Sequence, residues 1–147
     1  MPRIIPLPAG SLENRNWSSE DRATVQVVLD GYDALIGGAD ESEVTALYAA
    51  DYRDHATTVP GGDLGSLIAM VQQSTVNSPG TEIELHQVLV DGDRVVVYSS
   101  GRRASTDGWD GIMEIFRVDN GLIAEHWETI EPAGFFDAPA EGAHTDD

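Results

Sequence analysis

An α+β fold follows from three features of the sequence. The first half carries three stretches with apolar residues at helical spacing, each opening on a capping residue. From Thr81 the period changes to alternation, the mark of strands. An Asp119-Asn120-Gly121 turn then joins two strand-like runs into a hairpin. Helices and strands in separate blocks, rather than alternating, place about three helices on one face of a curved, mostly antiparallel sheet. The concavity between the two layers is a natural ligand pocket.

Residues 1–18 read as an extended arm, broken by Pro2, Pro6 and Pro8 and too short for a signal-peptide core. Ser18 with Asp21 has the form of a capping box. Val25, Val28, Tyr32 and Leu35 or Ile36 follow on one helical face until Gly37-Gly38 stops it. Asp40 with Glu43 starts a second helix, expected to turn Val44, Leu47 and Tyr48 inward. Residues 51–59 are short and β-prone, and Pro60-Gly61-Gly62 turns the chain. Asp63 caps a third helix with Leu64, Leu67, Ile68 and Val71 on its buried face. The next strand is expected to set Ile83, Leu85, Gln87 and Leu89 against Glu84, His86 and Val88. Asp91-Gly92 leads into a strand over 94–103, and residues 107–111 turn into the hairpin. One domain therefore spans 19–132. The acidic tail 133–147 reads as largely flexible, with Phe135-Phe136 available to dock on the body or a partner chain.

With 147 residues the chain suits one domain with a real core, and no run reaches the length of a membrane span. Its 26 acidic and 8 basic residues give a net charge of −18, which repels phosphate backbones and anionic lipid. Nucleic acid and membranes are thus excluded as expected partners, and a cytoplasmic location is the default. The absence of cysteine removes disulfides, thiol catalysis and thiolate metal sites. His55, His86, His126 and His144 lack paired spacing, so no metal is expected, and no Gly-x-Ser-x-Gly elbow supports a nucleophilic serine.

The hairpin carries ionisable groups in strands otherwise built for a core: Glu114 between Met113 and Ile115, and His126 between Glu125 and Trp127. A three-residue loop would pair Val118 with Leu122 and set Glu114 opposite His126. A two-residue Asn120-Gly121 turn would instead set Glu114 opposite Trp127. On the residues alone, a Glu–His pair across a hairpin reads as an ordinary cross-strand contact, and Tyr32 as a core tyrosine.

The stretch Ile115-Phe116-Arg117-Val118-Asp119-Asn120-Gly121-Leu122-Ile123-Ala124-Glu125-His126-Trp127, with a helix ending Leu47-Tyr48-Ala49-Ala50-Asp51-Tyr52, resembles the SnoaL-like branch of the NTF2-like superfamily. The resemblance runs from about Ser19 to Pro132. It implies a cone-shaped α+β roll (cystatin-like), often dimeric, whose pocket hosts acid/base chemistry without a cofactor, as in polyketide cyclases and ketosteroid isomerases. Glu114 matches the acid/base carboxylate of the cyclases, and Tyr32 the oxyanion tyrosine of the isomerases. His126 and Glu128 match pocket-facing positions of the last strand, which favours the three-residue loop. His55 matches the histidine of a Gln-His-Asn-Pro stretch that here reads Asp54-His55-Ala56-Thr57. Ala56 stands where the isomerases keep a proton-shuttling aspartate, a departure that argues against that activity.

The expected chemistry is abstraction of a proton α to a carbonyl on a hydrophobic small molecule, leading to a cyclisation or isomerisation. Glu114 is the acid/base, His126 shares its proton, and Tyr32 donates to the enolate oxygen. His55, Tyr98, Glu128 and Phe116 are expected around the substrate, with no cofactor and no metal. A homodimer is expected, because the convex face of a curved sheet usually needs covering. Two alternatives stand beside this reading: a non-catalytic binding or dimerisation module, and an epoxide-hydrolase-like site built on Arg102, Arg103, Asp107 and Asp110.

Overall fold

In a computed structural model, which describes residues 2–13, 15–103 and 108–133, three helices lie against one mixed, unclosed six-stranded sheet. The elements in chain order are β1 (Arg3–Ile5), α1 (Ser19–Gly37), α2 (Glu41–Thr45), β2 (Tyr48–Asp54), α3 (Leu64–Asn77), β3 (Glu82–Asp91), β4 (Arg94–Arg102), β5 (Asp110–Asp119) and β6 (Leu122–Glu131). Their order across the sheet is β1-β3-β4-β5-β6-β2. The four central strands are antiparallel, as expected. Both edges are parallel additions that the sequence did not announce. Part of the N-terminal arm pairs with β3 and carries an Arg3–Glu82 ion pair, while β2 pairs with β6. The acidic tail, Phe135-Phe136, Asp107 and His144 lie outside the described residues.

The helix starts agree with the capping signals. Ser18 and Asp21 close a reciprocal capping box on α1, and Asp40 and Glu43 another on α2, each satisfying backbone N–H groups that no helical carbonyl can reach. Asp63 caps α3 through the Ser66 N–H. Gly38, at φ 82°, ends α1 in the left-handed conformation. Val25, Val28 and Tyr32 of α1 and Leu67 and Ile68 of α3 are buried against the sheet. The second helix is shorter than expected. It stops at Thr45, and Tyr48 and Tyr52 are instead buried residues of β2.

Two bulges set which side chains face the helices. In β3 the ladder slips between Leu85 and Gln87, so the burial pattern changes phase and Val88 joins Leu85 in the core; the expected uninterrupted alternation fails there. Before β6 the turn contains two residues, Asn120 at φ 49° and Gly121 at φ 75°, and Asp119 pairs with Leu122. The three-residue loop is therefore incorrect. Ala124 then bulges, so that Val118 faces Ile123 while Arg117 faces Glu125. Downstream, Phe116 is opposite His126 and Glu114 is opposite Glu128, which is neither of the two registers read from the sequence. The extra residue turns His126 and Glu128, rather than Glu125 and Trp127, toward the helices.

Candidate active site

A cavity of about 460 Å³ lies between the helices and the sheet. Its walls are mainly apolar, with Val28, Leu35, Leu67, Val71, Ile83 and Phe116 among the lining residues. Along β5 and β6 exposure falls from 41% at Ile130 to 8% at Glu114, 6% at Phe116 and 5% at His126. The cavity thus opens toward Ile130 and deepens toward His126, and its polar groups gather at the deep end.

Those groups form one hydrogen-bonded chain. The Tyr32 hydroxyl, delivered by α1, donates to Glu114 Oε1 at 2.5 Å. His126 Nε2 lies 2.6 Å from Glu114 Oε2, and its Nδ1 lies 3.1 Å from Asp54 Oδ1. Asp54 also accepts from the Tyr52 hydroxyl at 2.6 Å and from the Ala56 N–H at 2.9 Å. Phe116 packs against the two groups that bond Glu114, its ring centroid 5.7 Å from Tyr32 and 4.8 Å from His126. Glu128 is half-buried beside Glu114 and accepts from the Thr58 hydroxyl at 3.1 Å.

The electrostatics follow from this layout. Burial disfavours a charged His126, but Asp54 and Glu114, one at each ring nitrogen, outweigh it and push the imidazole up to about 10. At neutral pH His126 is therefore a cation held between two carboxylates, with both N–H groups donating. Burial likewise works against the Asp54 anion, yet hydrogen bonds from His126 and Tyr52 prevail and hold it below its ordinary value. Burial, reinforced by the facing Glu114, pushes the Tyr32 phenol well up, so it is a neutral donor. Burial and the Glu114 charge also push Glu128 up.

Of the residues expected at the substrate, Tyr32, Glu114, Phe116, His126 and Glu128 all line this cavity. His55 and Tyr98 do not. His55, just past the end of β2, is exposed on the side away from the cavity, where it stacks on Trp127 and bonds Glu125 at 2.8 Å. Tyr98 is 40% exposed on the outer sheet face beside His86, because the β4 residues directed inward are its neighbours Val97 and Ser99. The Tyr32 hydroxyl, expected to face an enolate oxygen, donates here to Glu114. Asp54, Tyr48 and Tyr52 went unread. The only signal for Asp54 was its place two residues after Tyr52 in a β-prone run, which puts both on one strand face.

The histidine spacing predicts no metal site. The strands nevertheless bring ligand atoms of Glu114, His126 and Glu128 within 4.8 Å of one another. A cation there would have to displace the proton that Glu114 holds on His126 Nε2. Of the residues in the Arg/Asp alternative, Arg102 bonds Glu82 at 2.5 Å and lies over the Trp109 ring, Asp110 accepts from the Ala133 N–H, Arg103 lines the cavity, and Asp107 lies outside the described residues.

Residues 18–126 match the SnoaL-like domain. The chain belongs to the SnoaL-like family. No curated protein sequence is similar enough to count as a match. Among solved structures, a candidate SnoaL-like polyketide cyclase from Jannaschia sp. superposes with a TM-score of 0.66 at 17% identity, over 80% of this chain and 91% of that one. IdmH, a candidate polyketide cyclase from Streptomyces antibioticus, gives 0.60 at 17% over 73% and 91%. A candidate ketosteroid isomerase from Kribbella flavida gives 0.62 at 20% over 78% and 82%. At such identities the superpositions establish the NTF2-like fold of this SnoaL-like chain.

Proposed function

We propose that this SnoaL-like protein is a cofactor-independent acid/base enzyme, a cyclase or isomerase that moves a proton α to a carbonyl on a hydrophobic small molecule. The observation that carries this reading is the buried Tyr32–Glu114–His126–Asp54 chain at the deep end of an apolar cavity. Glu114 is the base. Tyr32 fixes one of its oxygens and His126 the other, which leaves lone pairs on a carboxylate held in a single orientation. The His126 cation stabilises the charge that Glu114 carries before transfer. Asp54, behind the ring and outside the cavity lining, positions it. The family match and the polyketide cyclase neighbours agree with this chemistry without naming a substrate.

The test uses 2-tetralone, a two-ring ketone with acidic α-hydrogens, and follows α-deuterium exchange in D₂O by NMR. Glu114→Gln keeps the shape and much of the hydrogen bonding, so exchange is expected to fall by about 10²-fold or more with ketone affinity little changed. Exchange at the wild-type rate in Glu114→Gln would remove Glu114 from the mechanism and leave a ligand-binding module.

We also propose a homodimer through the outer sheet face. There Leu89, Val96, Ile115 and Trp127 stand in one row across four strands, beside Tyr98 and Met113. Leu89, Tyr98, Met113 and Ile115 are all exposed, an apolar surface that a second copy would cover.

A further inference from the structure

Glu114 and Glu128 face each other directly across the β5–β6 ladder, with ligand atoms within 4.8 Å. Two carboxylates opposed at that range in a largely buried site oppose each other's ionisation. The proton settles on the one with fewer donors. Glu114 accepts from Tyr32 and from the His126 cation at 2.5 and 2.6 Å, whereas Glu128 accepts from the neutral Thr58 hydroxyl at 3.1 Å. The titratable groups facing Glu128 are Glu114 on β5, His126 on β6, Asp54 on β2 and Tyr32 on α1, and Arg103 also lines the cavity. His126 directs both N–H groups elsewhere, one to Glu114 and one to Asp54. Burial and the Glu114 charge push Glu128 up, in agreement with this donor count.

Position gives that proton a use. Along β6, Glu128 stands between the buried His126 and the 41%-exposed Ile130, is itself half-buried, and lines the cavity with Glu114. Of the tyrosines lining the cavity, Tyr32 and Tyr52 commit their hydroxyls to Glu114 and Asp54, and burial pushes the Tyr48 phenol up, which makes it a weaker acid than a carboxyl group. We propose that Glu128 is the acid that protonates the ligand oxygen while Glu114 takes a proton from the adjacent carbon, and that the ligand is therefore a ketone whose oxygen sits against β6. This rests on the acid/base reading of the site. In the step, the α C–H bond breaks toward Glu114 and its electron pair forms the C=C bond of the enol. The carbonyl π pair takes the Glu128 proton, so Glu114 ends neutral and Glu128 ends as a carboxylate, with total charge unchanged. Returning a proton to carbon reverses both roles.

The deciding experiment is infrared spectroscopy of the whole protein at pH 7, with ¹³C-labelled glutamate identifying the carboxyl bands. Wild type is expected to show the carbonyl stretch of a neutral glutamic acid, and Glu128→Gln to lose it. In Glu114→Gln the band should titrate away at lower pH than in wild type, since the opposed charge is gone while burial remains. A band that persists in Glu128→Gln places the proton elsewhere and overturns the proposal, whatever the activity. On 2-tetralone, Glu128→Gln should slow α-exchange by about 10²-fold. Exchange reduced by Glu114→Gln but untouched by Glu128→Gln would overturn the role of Glu128 and leave the base intact. Exchange indifferent to Glu114→Gln would instead defeat the acid/base reading, while the infrared band still reports which carboxyl holds the proton.

Discussion

His126 owes its charge to a carboxylate at each ring nitrogen, and that arrangement has a measurable pH signature. Its pKa rises on folding from an ordinary 6.5 to about 10. The stabilisation from the ion triad is therefore complete below about 6.5 and is lost as pH rises through 10. Asp54 acts in the opposite direction: its folded value lies below an ordinary 3.8, so its contribution is present above that value and is lost as pH falls. Thermal melts between pH 6 and 10.5 should show a Tm that declines toward the alkaline end in wild type and stays flatter in His126→Gln. Equal slopes would mean that the imidazole is neutral. Asp54→Ala leaves a buried cation with one partner fewer and is expected to cost about 3–5 kcal/mol by urea unfolding, with Asp54→Asn intermediate because it keeps the shape. Glu114, His126 and Tyr32 were readable because each interrupts an apolar pattern. Asp54 was not, because adjacent Asp54 and His55 look alike as strand-end polar residues, and only the pairing with β6 decides that the aspartate faces inward and the histidine outward.

The β5–β6 hairpin and the helix starts rest on backbone conformations that few residues supply. Gly121 sits at φ 75°, where a side chain costs about 1–2 kcal/mol, so Gly121→Ala should lower stability by about 1 kcal/mol in urea titrations with an unchanged m-value. Ser18→Ala removes the hydroxyl that caps the Asp21 N–H and should cost about 1 kcal/mol in the same assay. Both features were visible in the sequence, since capping boxes and Asn-Gly turns are local chemistry. The hairpin register was not. It depends on the Ala124 bulge, and alanine carries no mark of an unpaired strand residue. The short second helix escaped for a similar reason: Tyr48 and Tyr52, four apart, suit a helical face as well as a bulged strand, and pairing with β6 selects the strand.

Taken as a whole, the molecule places its polar network inside and an apolar row on the outer sheet face. If that face joins two copies, each brings a formal charge of −18, so their association is opposed by like charge and should strengthen with salt. Sedimentation velocity at rising NaCl is expected to show a growing dimer fraction, and Ile115→Glu should shift the protein toward monomer at every salt concentration. A dimer that instead weakens with salt would point to ion pairs rather than the apolar row. The layered architecture was readable from the change of period at Thr81, because that change reflects the whole second half of the chain. The two parallel edge strands were not, since joining a sheet edge depends on partners far away in sequence.

Ala124 also makes the last strand tolerant at one point and brittle a few residues later. It is a spare step in the ladder: removing it would let Ile123 and Glu125 follow one another in ordinary pairing, with His126 and Glu128 still turned inward. Removing Trp127 would instead make His126 and Glu128 neighbours, and a regular strand cannot turn two neighbours to the same side. One of the two would leave the chamber whatever register the hairpin chose. A change of length at the bulge therefore keeps the polar groups of the chamber, whereas one between His126 and Glu128 replaces them.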